Sequence, residues 1–155
     1  MTIIKIITFA VILVVGIVFF TLQRNDANLF QAPGFYKRLV TYLTTNTAET
    51  SDNHPFEELR TPVYNVSAEK LYQRVLYVAA ESGWNVLAND SDNQDANFVV
   101  RTPVFLFEDD VYIQVKFIDM NESSLYVRSS SRKGRADLAA NAGHIQTLIK
   151  GIKDK

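Results

Sequence analysis

The chain has 155 residues, a formal net charge of −1 and a pI near 6.1, with 16 basic and 17 acidic side chains. That length holds one domain plus an appendage, and the balanced charge argues against a nucleic-acid binder, which carries a strong basic excess. The absence of cysteine excludes disulfides, thiol catalysis and thiolate-bound zinc, and two histidines, His54 and His144, argue against a multi-histidine metal site.

Residues 6–22 (IITFAVILVVGIVFFTL) form a charge-free apolar run, preceded by Ile3, Ile4 and a single Lys5. A helix from Ile3 to Leu22 is about 30 Å long, enough for the hydrocarbon core of a bilayer. This length, and the lack of a small-x-small site after Leu22, favour an anchor over a cleaved signal peptide. Basic residues flank both ends (Lys5 on one side, Arg24, Lys37 and Arg38 on the other), so charge alone does not orient the span. The four-residue tail before the apolar run reads as a signal-anchor, with its N-terminus in the cytoplasm and the domain outside. In a bacterium this means an inner-membrane protein with a periplasmic domain.

After Pro33-Gly34, the apolar positions Phe35, Leu39, Tyr42 and Leu43 recur at helical spacing, with Lys37, Arg38 and Thr41 elsewhere. Such a helix either lies in the membrane interface or packs on the globular domain. Residues 44–58 (TTNTAETSDNHPFEE) are polar and read as a linker. The expected division is therefore an anchor over 1–24, an interface helix and linker over 25–58, and a globular domain over 59–155.

Within that domain, residues 61–66 predict a short edge strand, since Pro62 is tolerated at a sheet edge. Ser67 is a good N-cap and Gly83 a good stop for a helix from Ala68 to Ser82. Four strands follow: Trp84 to Ala88, then Asn97 to Thr102 continuing past a break or bulge at Pro103 to Phe107, then Val111 to Phe117, then Leu125 to Arg128. Short polar turns between them favour antiparallel pairing. A last helix carries Leu138, Ala142, Ile145, Leu148, Ile149 and Ile152 on one face. The order β-α-β-β-β-β-α predicts an α+β two-layer domain, a mostly antiparallel sheet of about five strands with two helices.

The sharpest chemical signal joins the last strand to the last helix. Arg132, Lys133, Gly134 and Arg135 make a basic turn that opens a helix, an arrangement suited to an anion. Asp137, Asn141 and His144 follow at i, i+4 and i+7 as one polar stripe. The same residues also read as a capped helix start, with Asp137 complementing the dipole and pairing with Arg132 or Arg135. His144 alone reads as a surface or hydrogen-bonded histidine. Glu108, Asp109 and Asp110 could supply carboxylates, but read first as a hairpin turn; Asp109 or Asp110 could also bridge to Arg128 or Arg132 across neighbouring strands. The serines 129–131 lack a paired base, which favours structural hydroxyls over a nucleophile. Phe105, Phe107 and Tyr112 either line a groove for a lipid or apolar partner or belong to the sheet.

Several of these residues carry a resemblance. Leu71 to Trp84 ending in Gly83-Trp84, Phe98 through Thr102, residues 107–111 (FEDDV) and Ser129-x-Ser131-Arg132-x-Gly134-x-x-Asp137-x-x-x-Asn141 with Ile145 resemble the bacterial and plastid family known as domain of unknown function 1499. The similarity covers about residues 56–150. It implies the fold and the site, often together with a membrane anchor or export signal, but no reaction. The family's usual Cys-Pro stretch before the domain is replaced here by cysteine-free residues 44–53.

Two functional expectations follow. The first is a single-pass, non-enzymatic subunit that meets the lipid bilayer and another membrane protein or complex, without cofactor, metal or nucleic acid. The second is an extracytoplasmic enzyme or binding domain for an anionic or lipid-like small molecule. Its candidate ligand-binding residues are Arg132, Gly134, Arg135, Asp137, Asn141, Asp109 and Asp110.

Overall fold

The computed structural model describes residues 2–102 and 104–154. A helix α1 (Thr2–Arg24) leads to α2 (Phe35–Thr44), then strand β1 (Thr47–Glu49), a 3-10 turn (Glu57–Leu59) and β2 (Val63–Tyr64). Helix α3 (Ala68–Glu81) is followed by β3 (Asn85–Asp90), β4 (Asp95–Arg101), β5 (Glu108–Asp119), β6 (Glu122–Ser131) and α4 (Ala140–Lys153).

One antiparallel sheet runs in the order β1-β6-β5-β4-β3, and β2 pairs with β6 further along the edge that β1 occupies. Both α3 and α4 cover one face. Strand periodicity decides which side chains meet them. Val111, Ile113 and Val115 point inward from β5, Leu125 and Val127 from β6, and Ala96, Phe98 and Val100 from β4, all buried. They meet Leu71, Tyr72, Val75 and Val78 of α3 and Ala142, Ile145, Leu148 and Ile152 of α4. Tyr112, Tyr126 and Arg128 stand on the opposite, solvent-facing side. The chain is thus an α+β protein.

The boundaries of α3 follow from the expected chemistry. Ser67 Oγ accepts from the Lys70 amide at 3.4 Å, and Gly83 takes φ +72°, the left-handed conformation that ends a helix at low steric cost.

The structure differs from the sequence expectations in four places. Among the described residues the sheet has six strands rather than five, because the stretch expected as linker supplies β1, with Thr50, Phe56 and Leu59 buried beside it. Val104 to Phe107 form a turn rather than a strand, whereas Glu108, Asp109 and Asp110, expected in a turn, begin β5. The break or bulge expected at Pro103 lies outside the described residues. Arg38, placed on the polar side of α2 by pattern, is fully buried. Its guanidinium meets both Glu58 oxygens at 2.5 and 2.9 Å and lies 4.3 Å above the Phe56 ring. The bridge holds α2 on the domain, while Tyr36 on the same helix is 80 % exposed.

Helix α1 is long and apolar enough to cross a membrane, and its apolar stretch is unburied within the protein. Its last turn behaves otherwise. Thr21 and Leu22 are buried in the domain, Asn25 Nδ2 donates to the Leu138 carbonyl at 2.9 Å, and Asn28 Nδ2 donates to Gln146 Oε1 at 2.9 Å. Gln146 in turn donates to the Asp26 carbonyl at 3.1 Å, and Lys150 pairs with the Asp26 carboxylate at 2.8 Å. A side chain at Gly143 would start 2.9 Å from the Asn25 carbonyl oxygen, so glycine there lets α4 approach this segment closely.

Candidate functional site

The candidate residues converge where β5, β6 and the loop into α4 meet the end of α1, but they form three separate groups. Arg132 lies on the solvent side of the sheet. Its Nε and Nη2 donate to Asp110 at 2.9 and 2.7 Å, and Nη1 donates to Glu108 at 2.9 Å. Register explains the match: Asp110 stands opposite Ser130 on β6, and Arg132 follows two residues on, reaching back across the pair. These side chains are exposed, and ion pairs of this kind contribute roughly 0–1 kcal/mol. Gly134 and Arg135 belong to the exposed loop, where the Gly134 carbonyl accepts from Asn46 Nδ2 at 2.8 Å. Among the described residues, neither Lys133 nor Arg135 makes an ion pair.

Asp137, Asn141 and the serines form the second group. Leu138 and Ala139 both take left-handed backbone (φ +50° and +69°), which folds the chain back so that Asp137 caps α4. Asp137 Oδ1 accepts from the Ala139 amide at 3.0 Å, and Oδ2 accepts from the Asn141 amide at 3.2 Å and its side-chain nitrogen at 2.7 Å. The amides that looked free for an anion therefore already hold a carboxylate, and Asp137 pairs with neither arginine. Burial pushes the Asp137 carboxyl above its ordinary range, against the opposing pull of those hydrogen bonds. Asn141, fully buried, ties three elements together. Its Nδ2 also donates to the Asn46 carbonyl and to Ser131 Oγ, each at 2.9 Å, while Oδ1 accepts from Ser129 Oγ at 2.5 Å. Ser130 Oγ is 3.0 Å from the Thr47 hydroxyl, so all three serine hydroxyls have structural partners.

The third group is a buried pair that the linear sequence did not join. Asp109, with no exposed surface, begins the inward row of β5 that continues with Val111 and Ile113, and its Oδ2 lies 3.0 Å from His144 Nε2. The Trp84 ring packs edge-on against the imidazole at 6.2 Å. Asp109 Oδ1 is buried without a hydrogen-bond partner. The signal available in sequence was alternation: once residues 111, 113 and 115 face the helices, residue 109 does too.

Two clefts flank this pair. One, of about 80 Å³, is lined by Asp109, Asp137, Lys133, Thr21, Phe105 and Phe107 among others. The second, of about 200 Å³, reaches His144 between Arg24, Trp84 and Arg101. Asn25 and Ala140 line both. No group of three or more histidine or carboxylate side chains able to hold a metal ion occurs among the described residues. What the site offers is hydrogen-bond acceptance: a buried carboxylate oxygen beside a small cleft, with an aromatic wall.

A family model described as "Protein of unknown function (DUF1499)" matches residues 38–152, from the buried arginine of α2 to the penultimate residue of α4. The match covers most of the chain, which therefore belongs to that family. No curated protein matches the chain.

Proposed function

We propose that this DUF1499 protein is a single-pass membrane protein whose α+β domain serves, without catalysis, as a partner-binding subunit of a membrane assembly. One observation carries this: the last turn of α1 is part of the domain's core. Leu22 is completely buried and the segment Asn25–Asn28 is hydrogen-bonded to α4 and the loop before it. Removing α1 after Leu22 strips a core residue, which suits a retained anchor better than a disposable leader. Its 23 residues extend about 34 Å, against the roughly 30 Å of a hydrocarbon core. This reading includes an N-terminus in the cytoplasm and a domain on the periplasmic side of the inner membrane.

The surface offered to a partner lies at the far end of the sheet. From Glu108 beside α1's end, β5 runs 12 residues to Asp119, about 35 Å at roughly 3.3 Å per residue. There Phe117, Ile118 and Met120 are 68, 46 and 81 % exposed, more apolar surface than a solitary tip needs. After extraction in mild detergent, a Met120→Cys variant carrying a short crosslinker should capture a stoichiometric membrane partner. A clean monomer in several detergents, with no crosslink, argues decisively against the role.

A second possibility, binding of a lipid-like small molecule, is favoured by the unpartnered Asp109 Oδ1 beside the 80 Å³ cleft. A carboxylate selects a donor such as an ammonium or hydroxyl headgroup rather than an anion. Native mass spectrometry of the wild type and Asp109→Ala, released from the same membranes, distinguishes the two: only a ligand held by this oxygen is lost from the variant.

A further inference from the structure

We propose that the loop Val104–Phe107 is a second membrane-contacting element, which seats its apolar tip in the headgroup–acyl boundary beside α1; this rests on the membrane-anchored role of α1 proposed above. Phe105, Leu106 and Phe107 are 45, 68 and 52 % exposed, a continuous apolar tip between two strands. The tip is built to stay in place. Thr102 N donates to the Phe107 carbonyl at 2.8 Å, Phe107 N to Thr102 Oγ at 2.9 Å, and Leu106 N to the Thr102 carbonyl at 3.1 Å. The rings of Phe105 and Phe107 stack at 5.6 Å. Leu106 holds φ +55°, a left-handed conformation costly for a branched side chain. A braced loop that strains leucine in order to display it needs a surface to display it to.

Position identifies that surface as lipid. Phe105 and Phe107 share a cleft with Thr21 and Asn25, so the loop stands beside the point where α1's exposed apolar surface ends. Around the tip, Leu106 and Phe107 share a depression with Arg101, Glu108, Arg132 and Lys133; Glu108 pairs with both arginines, which leaves Lys133 as the basic side chain outside those ion pairs at the level of lipid phosphates. Another side of α1 repeats the pattern. Phe30, 87 % exposed and stacked on Phe35 at 5.5 Å, shares a groove with Gly16, Phe19 and Phe20. The helix thus leaves the bilayer between two sets of aromatic rings, the side chains favoured at the interface. The Asp109 cleft then opens at headgroup depth.

The cysteine-free chain makes the test direct. Single-cysteine variants Leu106→Cys, Phe105→Cys, Leu13→Cys and Met120→Cys of the full-length protein are labelled with a polarity-sensitive fluorophore. They are then reconstituted into vesicles of phosphatidylcholine with a minority of phosphatidylglycerol, with and without lipids carrying a shallow nitroxide quencher. Leu13, in α1, reports the anchor, and Met120 the far end of the sheet. Expected is a blue-shifted label at 105 or 106, quenched about threefold more strongly than at 120, with the label at 13 also lipid-exposed. If the labels at both 105 and 106 stay as wet and unquenched as that at 120 while 13 is in lipid, this proposal is overturned and the anchor stands. Blue-shifted but unquenched labels at 105 and 106 mean a protein covers the loop, and also overturn it. A label at 13 that meets no lipid sinks the anchor itself.

Discussion

Replacing Arg38 with methionine keeps most of the apolar stem and removes the guanidinium. In the native protein that group donates to both Glu58 oxygens, to the carbonyls of Gln31 and Ala32, and to the Tyr42 hydroxyl. The Glu58 side chain is only 13 % exposed, so the variant strands a nearly dry carboxylate; breaking a buried pair in this way costs about 3–5 kcal/mol. At about 3 °C per kcal/mol for a domain of this size, thermal unfolding of the full-length protein in mild detergent should fall by roughly 12 °C. Neutralising the stranded charge with Glu58→Gln in the same chain should recover at least about 1 kcal/mol of that. The bridge also sets a pH dependence. Burial alone would raise the Glu58 carboxyl, but the hydrogen bond and charge of Arg38 outweigh it and hold the group below its ordinary value of 4.5. A depressed folded-state value means the contribution is complete above about 4.5 and is lost as pH falls through the lower, folded value. Glu58→Gln should remove that acid limb. A drop below about 3 °C for Arg38→Met, or no recovery in the double variant, refutes a buried, energetically coupled bridge.

Three other outcomes follow from the same geometry. His144→Phe leaves Asp109 without any partner and should destabilise by about 3 kcal/mol, with Asp109→Ala in that background restoring part of the loss; chemical denaturation measures both. Asn141→Ala breaks the links to Ser129, Ser131, Asn46 and Asp137 and should cost about 3 kcal/mol, with hydrogen exchange accelerated first in β1 and the start of α4. Gly143→Val puts a side chain against the Asn25 carbonyl and should cost about 1–3 kcal/mol, while partition into membranes is unchanged; carbonate extraction and thermal melts in parallel check the two halves.

Some of this protein was legible residue by residue. The apolar run that became α1, the Ser67 and Gly83 ends of α3, the alternation of β5 and β6 and the apolar face of α4 are periodic or capping signals, decided within one turn or one strand pair. The capping role of Asp137 was a local reading, and the pairing of Arg132 with Asp110 was one of the cross-strand alternatives that a hairpin allowed. The site as a whole was not legible in this way. Arg132 and Asp137 are five residues apart, yet one faces solvent across the sheet and the other caps a helix, because the chain turns between them through Gly134, at φ +91°.

The chain alone determined most of the helices and strands, that they make one α+β layer pair, and that an apolar helix precedes them, since each depends on the spacing of side chains along the backbone. Only the tertiary structure decided that Arg38 is core, that the polar stretch 44–58 completes the sheet, that Asp109 meets His144, and that α1 ends inside the domain. Those outcomes depend on partners 20 to more than 100 residues away. A polar residue reads the same in sequence whether water or a distant side chain satisfies it, and only packing distinguishes the two.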